Sequence, residues 1–482
     1  MRFRTALILL LTIMVLTPAG SANQVAPVVT AITGATLIDC TGKPPLADSM
    51  VIIEGDTIKA VGRRGRIPIP RGARIIDASG KFLLPGLIDM HVHYRDWQGE
   101  LFLANGVTTV KDLGNPVEWI AELSRLQTEG KLRGPKIFFV GNNLDAPPPE
   151  GDHNVGVANA QQAEKAVRLL NGFGVVAIKV RHKIAPDRLA EITTAAHALG
   201  LPVTGHLART NAAEAANAGI DGLEHATGVA RAAAESPDQV KVDAKGIQAF
   251  LEDLRGFALM SEKKEDELIR LLVAKGVRLI PTLAVRKRAV SDDYQQMIAE
   301  DASYSEIPEL AYVPEPVRKD WREASIDKRL HEVFGPDDMR IMRDGYRRLQ
   351  SFIHRFKDAG GVVLAGSDNL NGVAGLALRR EMEALVDAGF TPMQSLSAAT
   401  RDAAQFLRRK DIGTIEPGKK ADLIVVDGNP LSSIKNLSKI NKVFQNGREV
   451  STGYHRDYAL PPKRPELVRP IYFERLLSGE KQ

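Results

Sequence analysis

The chain has 482 residues, 44% hydrophobic, 26% charged and only 5% aromatic, with a formal net charge of +5. This is ordinary composition for a globular protein with a sizeable core, and the scarcity of aromatics and of long like-charge blocks argues against nucleic-acid binding. The single cysteine, Cys40, excludes an internal disulfide.

The N-terminus reads as a secretory signal. Arg2 and Arg4 precede an apolar run at residues 6–16, and small residues follow it. Cleavage is expected after Ala22, which makes residues 1–22 a signal peptide and the protein exported, periplasmic or secreted. The run is too short to span a bilayer comfortably, so no stable membrane span is expected after cleavage. An uncleaved N-terminal anchor is the rival reading.

From residue 28 to 84 come short runs of Ile, Val and Leu broken by Gly and Asp turns: "AITGATLIDCTG", "SMVIIEGDTIKAVG" and "ARIIDASGKFLLPG". The pattern suggests part of a small β-sandwich. It returns over 412–458 in "GTIEPGKKADLIVVDGN" and "INKVFQNGREV". Between them, 85–411 alternates strands with helical stretches. The strands are "GLIDMHVH", "GVTTVKDLG", "KIFFVG", "VVAIKV", "LPVTGHL", "DGLEHAT", "VRLIPTL" and "GVVLAGSD". Eight strands alternating with helices suggest an α/β fold, a (β/α)8 TIM barrel. Two long connections, 227–276 and 284–359, read as mostly helical and are expected near the mouth of the barrel. The tail, 459–482, reads as a loosely packed arm.

In such a barrel the C-terminal ends of the strands carry the active site. Polar groups fall there: His91 and His93, Lys179, His206, His225 and Asp368. Singly, each has an ordinary explanation. A strand-end histidine is commonly a satisfied polar residue, Asp368 could cap a helix, and Lys179 could extend its amine to the surface. Jointly they place four imidazoles, a lysine and a carboxylate at one rim, and imidazole and carboxylate suit zinc and similar divalent metals. A protonated lysine has only donors. As a CO2-derived carbamate it would instead offer two oxygens and could bridge two cations, and burial favours the neutral amine this needs.

These segments, with "AGFTPMQSLSAAT" and "DIGTIEPGKKADLIVVDGNPL", strongly resemble the amidohydrolase superfamily, and within it the imidazolonepropionase-like and prolidase-like groups. The resemblance runs from about residue 32 to 450. It implies the barrel, and a sandwich built from both chain ends. It also implies that His91, His93 and Asp368 hold a buried metal, that His206 and His225 hold a more exposed one, and that a carboxylated Lys179 bridges them. A one-metal site with unmodified Lys179 is the alternative. Zinc is the default, and manganese or iron would also fit.

The expected chemistry is hydrolysis of a C–N bond in a cyclic amide, dipeptide or N-acyl amino acid. A metal-bound hydroxide attacks, and Asp368 serves as general base and proton shuttle. Lactone or phosphotriester hydrolysis on the same site and a non-catalytic scaffold are the competing readings. Tyr94, Arg181 and His182 are candidate substrate contacts, with Lys183, Arg286, Lys287 and Arg288 as further cations near the mouth. The partner is a small-molecule substrate; nucleic acid is not expected, and a homo-oligomer remains open. One departure from the resemblance is "LRREM", where Arg379 and Arg380 precede Glu381 in place of a Leu-His-x-Glu-like segment.

Overall fold

Alternation of side chains decides how the two ends of the chain meet. In the strand Ser49–Glu54, Val51 and Ile53 join one apolar cluster with Ile32 and Ile58, while Met50 and Ile52 turn to another with Ala31, as a period of two requires. Across the first cluster lie Leu83, Leu423, Val425 and Phe444. They come from a second sheet, ordered Arg448–Val450, Ile440–Gln445, Leu423–Val426, Phe82–Pro85 and Thr36–Leu37. Leu423–Val426 runs antiparallel to Phe82–Pro85, so the sandwich is stitched from both ends. The structure, a computed structural model, describes residues 28–464 except 152, 243, 245–247 and 369–371. The expected signal peptide at 1–22 and the tail beyond 464 lie outside the described residues.

Gly86 leads from Phe82–Pro85 into the barrel. A Cβ there would stand 2.2 Å from Thr108 Oγ1, so the chain passes only because the residue has no side chain. Parallel strands then follow: Leu87–Val92, Val107–Asp112, Lys136–Phe139, Ile178–Val180, Val203–Gly205, Gly222–Glu224, Arg278–Ile280 and Val362–Val363. Val176 N donates to Phe139 O at 3.0 Å, and Met90 N to Ala365 O at 2.9 Å. These bonds join the third strand to the fourth and the eighth to the first, closing a (β/α)8 barrel. A short parallel pair, Asn143–Asp145 and Asn154–Gly156, extends the fourth strand at its edge; it was not expected from the sequence.

Local chemistry starts the covering helices. Asn159 caps Ala160–Gly172 by accepting from Gln162 N, Asn211 and Glu214 form a capping box on Ala212–Asn217, and Pro186 opens Pro186–Ala198. Both long connections are mainly helical, as expected, but they stand in different layers. The first supplies Gln248–Ala258 to the mouth of the barrel. The second places Pro336–Asp358 behind that helix, and beyond Val285 and Arg286 its described residues do not reach the cavity wall.

The chain leading into the expected arm at 459–482 is strapped down, and of that arm only 459–464 are described. Tyr458 is buried, His455 Nδ1 lies 2.8 Å from the buried Glu100, and Pro462 O accepts from Trp119 Nε1 at 2.8 Å. Among the described residues no helix is long and apolar enough to cross a membrane.

The two long connections approach closely at Gly345, where an added Cβ would stand 1.9 Å from the Leu254 carbonyl oxygen. Backbone cannot yield as a side-chain tip can. Gly345→Ala is therefore expected to destabilise by about 1–3 kcal/mol through overpacking, despite the roughly 1 kcal/mol gained in helix propensity. A lower midpoint in urea unfolding is the expected result; an unchanged midpoint would show that the helices can step apart.

Candidate functional site

The first strand divides its side chains cleanly. Ile88 and Met90 pack with Ile280, Ala403, Ala404 and Phe406, whereas Asp89 and His91 meet Ser367 and Glu224, with His93 one step beyond. Asp89 is fully buried and accepts from Ser367 N at 2.9 Å and His91 N at 3.2 Å. It thereby ties the first strand to the turn after the eighth. Burial pushes its carboxyl up to about 7.

The strand-end histidines gather above this floor. Ring centroids are 5.4 Å apart for His91 and His93, 4.6 Å for His91 and His225, and 4.4 Å for His206 and His225. Asp368 Oδ1 stands 3.7 Å from His91 Nε2 and 3.6 Å from His93 Nε2, and its Oδ2 is 3.8 Å from His225 Nδ1. One ligand atom each from His91, His225 and Asp368 lies within 4.8 Å of the others, close enough for a common cation. Burial holds His93, His206 and His225 well below the usual histidine range, and neighbouring positive groups reinforce it. They are therefore neutral imidazoles, the form that binds metal.

Backbone strain marks the same place. His225, Ala226, Thr282 and Asp368 have φ of 59°, 52°, 48° and 45°, in the left-handed region that non-glycine residues seldom occupy. At His225 the consequence is direct. Strict alternation would turn it away from the side taken by Glu224, yet both residues meet His91. The left-handed turn lets two consecutive side chains face one spot. Thr282, from the next strand end, places its Oγ1 2.7 Å from His225 Nδ1.

Lys179 projects from Ile178–Val180 and is 1% exposed, and its Nζ has no hydrogen-bond partner among the described residues. Burial pushes its ammonium down to about 7. Its charge is felt by His93, His206 and His225, so the lysine belongs to the same cluster.

Glu224 is the residue the sequence reading missed. It is fully buried and meets His91 Nδ1 at 2.7 Å, Lys111 Nζ at 3.3 Å and Thr204 Oγ1 at 2.6 Å. Burial alone would raise its carboxyl, but Lys111, Lys179 and His91 together hold it well below the usual range. A carboxylate on Nδ1 orients the ring and leaves Nε2 for the site. The available signal was two charged residues in apolar strands, Lys111 in "GVTTVKDLG" and Glu224 directly before His225.

The site opens into a cavity of about 1030 Å³, lined by His182, His206, His225 and Asp368 among others. One proposed substrate contact is corrected here. Tyr94 is fully buried, its ring stacked on Phe102 at 5.9 Å, and it is not on the cavity wall, because the chain after His93 turns down into the core. Arg181 is not among the residues lining this cavity; it is largely buried and feels the charges of Asp145 and Asp368. His182 does line the cavity, with its ring 4.3 Å from that of His206. Burial and the adjacent Arg181 push it down to about 4, so it offers a neutral imidazole rather than a cation.

The other cations are also committed. Arg286 binds Asp253 and the carbonyls of Pro281 and His225. Lys287 pairs with Asp387, and Arg288 with Asp301. The "LRREM" departure has the same explanation: Arg379 and Arg380 pair with Glu300, and Arg380 also with Asp301, on the inserted helix Tyr294–Ser305. Glu381 accepts from Ala284 N at 2.7 Å, and burial pushes its carboxyl up to about 8.

The model of the amidohydrolase family matches residues 82–450. Among curated proteins, a dihydroorotase of Ligilactobacillus salivarius is 26% identical over 426 residues, covering 81% of this chain and 88% of its own. Among solved structures, a Xaa-Pro dipeptidase with bound methionine in its active site has a TM-score of 0.60 at 22% identity, covering 88% of this chain and 99% of that one. A bottromycin amidohydrolase has a TM-score of 0.65 at 19% identity, covering 94% and 90%.

Glu224→Ala should cost roughly 3–5 kcal/mol, because it leaves Lys111 buried without its partner. Urea unfolding measures this, and Lys111→Met in the same chain should recover part of the loss. A single variant as stable as the parent would mean that the pair is not holding the barrel's interior.

Proposed function

The chain belongs to the amidohydrolase family, hydrolases acting on carbon–nitrogen bonds, and from that premise we propose that it is a metal-dependent amidohydrolase with a two-cation centre. The supporting observation is the company Lys179 keeps: among the described residues, a buried amine without a hydrogen bond, amid neutral imidazoles and a carboxylate whose Oδ1 also lacks a partner. An ammonium left so would be costly. A carbamate between cations resolves that cost, so these residues fit the group. On this reading His91, His93 and Asp368 would hold one ion and His206 and His225 the other, with a carboxylated Lys179 as a further ligand. Zinc suits these donors best. When bound, such ions supply Lewis acidity, lowering the pKa of water and polarising a carbonyl.

The chain's own groups do the rest. Asp368, at the junction of histidine cluster and cavity, takes the proton of the attacking water and delivers it to the leaving nitrogen. The amine must leave protonated, since an amide anion is a poor leaving group. Glu224 and Thr282 hold the rings of His91 and His225 in place. Export, read from residues 1–22, is part of the same proposal.

Metal-loaded protein assayed on amides, lactones and phosphotriesters tests the reading: turnover of amides is expected, and turnover confined to the other classes would overturn it. Asp368→Asn should retain its metal by elemental analysis and lose roughly 10²–10⁴-fold in kcat; near-parent activity would remove Asp368 from the proton transfer. Lys179→Ala should bind less metal and regain part of its activity with added propionate. Full metal occupancy in that variant would contradict a bridging lysine.

A further inference from the structure

The cavity wall carries the cations Lys183, Arg209, Arg231, Lys241 and Arg286. Most are spent inside the protein. Lys183 pairs with Glu150 at 2.9 Å, Arg231 lies 3.6 Å from Glu214 and donates to the Arg209 carbonyl, and Lys241 is 3.4 Å from Glu252. Arg286 is held by Asp253 and two carbonyls. Arg209 differs: it is exposed, and its guanidinium makes no hydrogen bond or ion pair with any described residue.

A free surface arginine is ordinary. This one sits on a fixed stem, three residues past His206. Its N donates to His182 O at 2.9 Å, and its own carbonyl accepts from Arg231. On either side, Leu207 N donates to Thr227 Oγ1 at 3.0 Å and Thr210 Oγ1 to Ile184 O at 2.7 Å. The backbone is immobilised while the charge stays unmatched, on the wall that also carries His206, His225 and Asp368. Between its paired charges that wall also presents the apolar side chains of Leu207, Val240, Phe250, Phe257 and Val285.

We infer that Arg209 receives a carboxylate of the substrate, and that the substrate is an N-acyl amino acid with an apolar acyl group. The inference rests on the amide-hydrolase reading above. One guanidinium binds one carboxylate in a bidentate pair, whereas a phosphate dianion would leave a charge unmatched here. The apolar wall gives the acyl chain a surface to bury.

The test compares N-hexanoyl amino acids with their C-terminal carboxamides on metal-loaded parent, Arg209→Ala and Arg209→Lys. The parent should prefer the acid. Arg209→Ala should shrink that preference roughly ten- to hundredfold, as expected for a lost charge-assisted hydrogen bond, mainly through KM, and Arg209→Lys should restore part of it. An acid-to-carboxamide ratio equal to that of the parent would overturn the inference. If the parent hydrolyses no amide, the functional reading falls separately. Calorimetric titration of the N-hexanoyl amino acid then decides the subsite: a ten- to hundredfold weaker Kd in Arg209→Ala supports it, and an unchanged Kd refutes it.

Discussion

A carboxylate sealed inside a barrel must be answered on every side, and Glu224 is. Lys111 supplies the opposing charge, Thr204 a hydroxyl, and His91 a ring nitrogen. The arrangement also has a direction. Because Glu224 occupies Nδ1, the Nε2 of His91 points up toward Asp368. The interior polar network below the rim thus sets the orientation of the histidines on it. Strand Gly222–Glu224 ends with this carboxylate, and the next residue, His225, begins the site itself. Support and site are adjacent in sequence and coupled in space.

Keeping both Glu224 and His225 on the site side requires a left-handed residue in the turn, and Thr282 and Asp368 repeat the device at neighbouring strand ends. Such backbone costs on the order of 1–3 kcal/mol per residue and persists only where the surroundings enforce it. The enforcement is visible. Arg286 donates to the His225 carbonyl, the Asp368 amide donates to the His91 carbonyl at 2.8 Å, and Asp89 holds Ser367 N beside it. Left-handed backbone occurs elsewhere too, as at Asp48 and Asn446, but in this cluster it aims consecutive side chains in unusual directions, and hydrogen bonds hold it there.

The long connection 284–359 accounts for the arginines in "LRREM" on the strand-eight helix. Helix Leu376–Asp387 faces the inserted Tyr294–Ser305, and Arg379 and Arg380 answer its Glu300 and Asp301. Asp301 is itself fully buried between Arg288 and Arg380. Removing any member would strand a buried charge, so the arginines and the insertion belong together. The arginines that looked available to a substrate are instead structural, and the cavity's chemical character falls to the groups they leave over.

Much of this was legible along the chain. Apolar runs with period-two patterning, separated by helical stretches, describe a barrel; Gly and Asp turns between short strands describe the sandwich. His91, His93, Lys179, His206, His225 and Asp368 stand together because each ends or occupies a barrel strand, and strand ends converge in this fold. Pairing could not be read the same way. Glu224 and Lys111 are 113 residues apart in sequence, and Arg380 meets a helix whose position no local pattern reveals. Tyr94 looked like a rim residue from its place after His93, but the following turn drives it into the core against Phe102. The sequence by itself determined which elements form and which side chains lie at their ends, because propensity and alternation are local. Only the tertiary structure decided which charges neutralise one another and which cation of the cavity wall, Arg209, has no partner among the described residues, because ion pairing depends on distances through space.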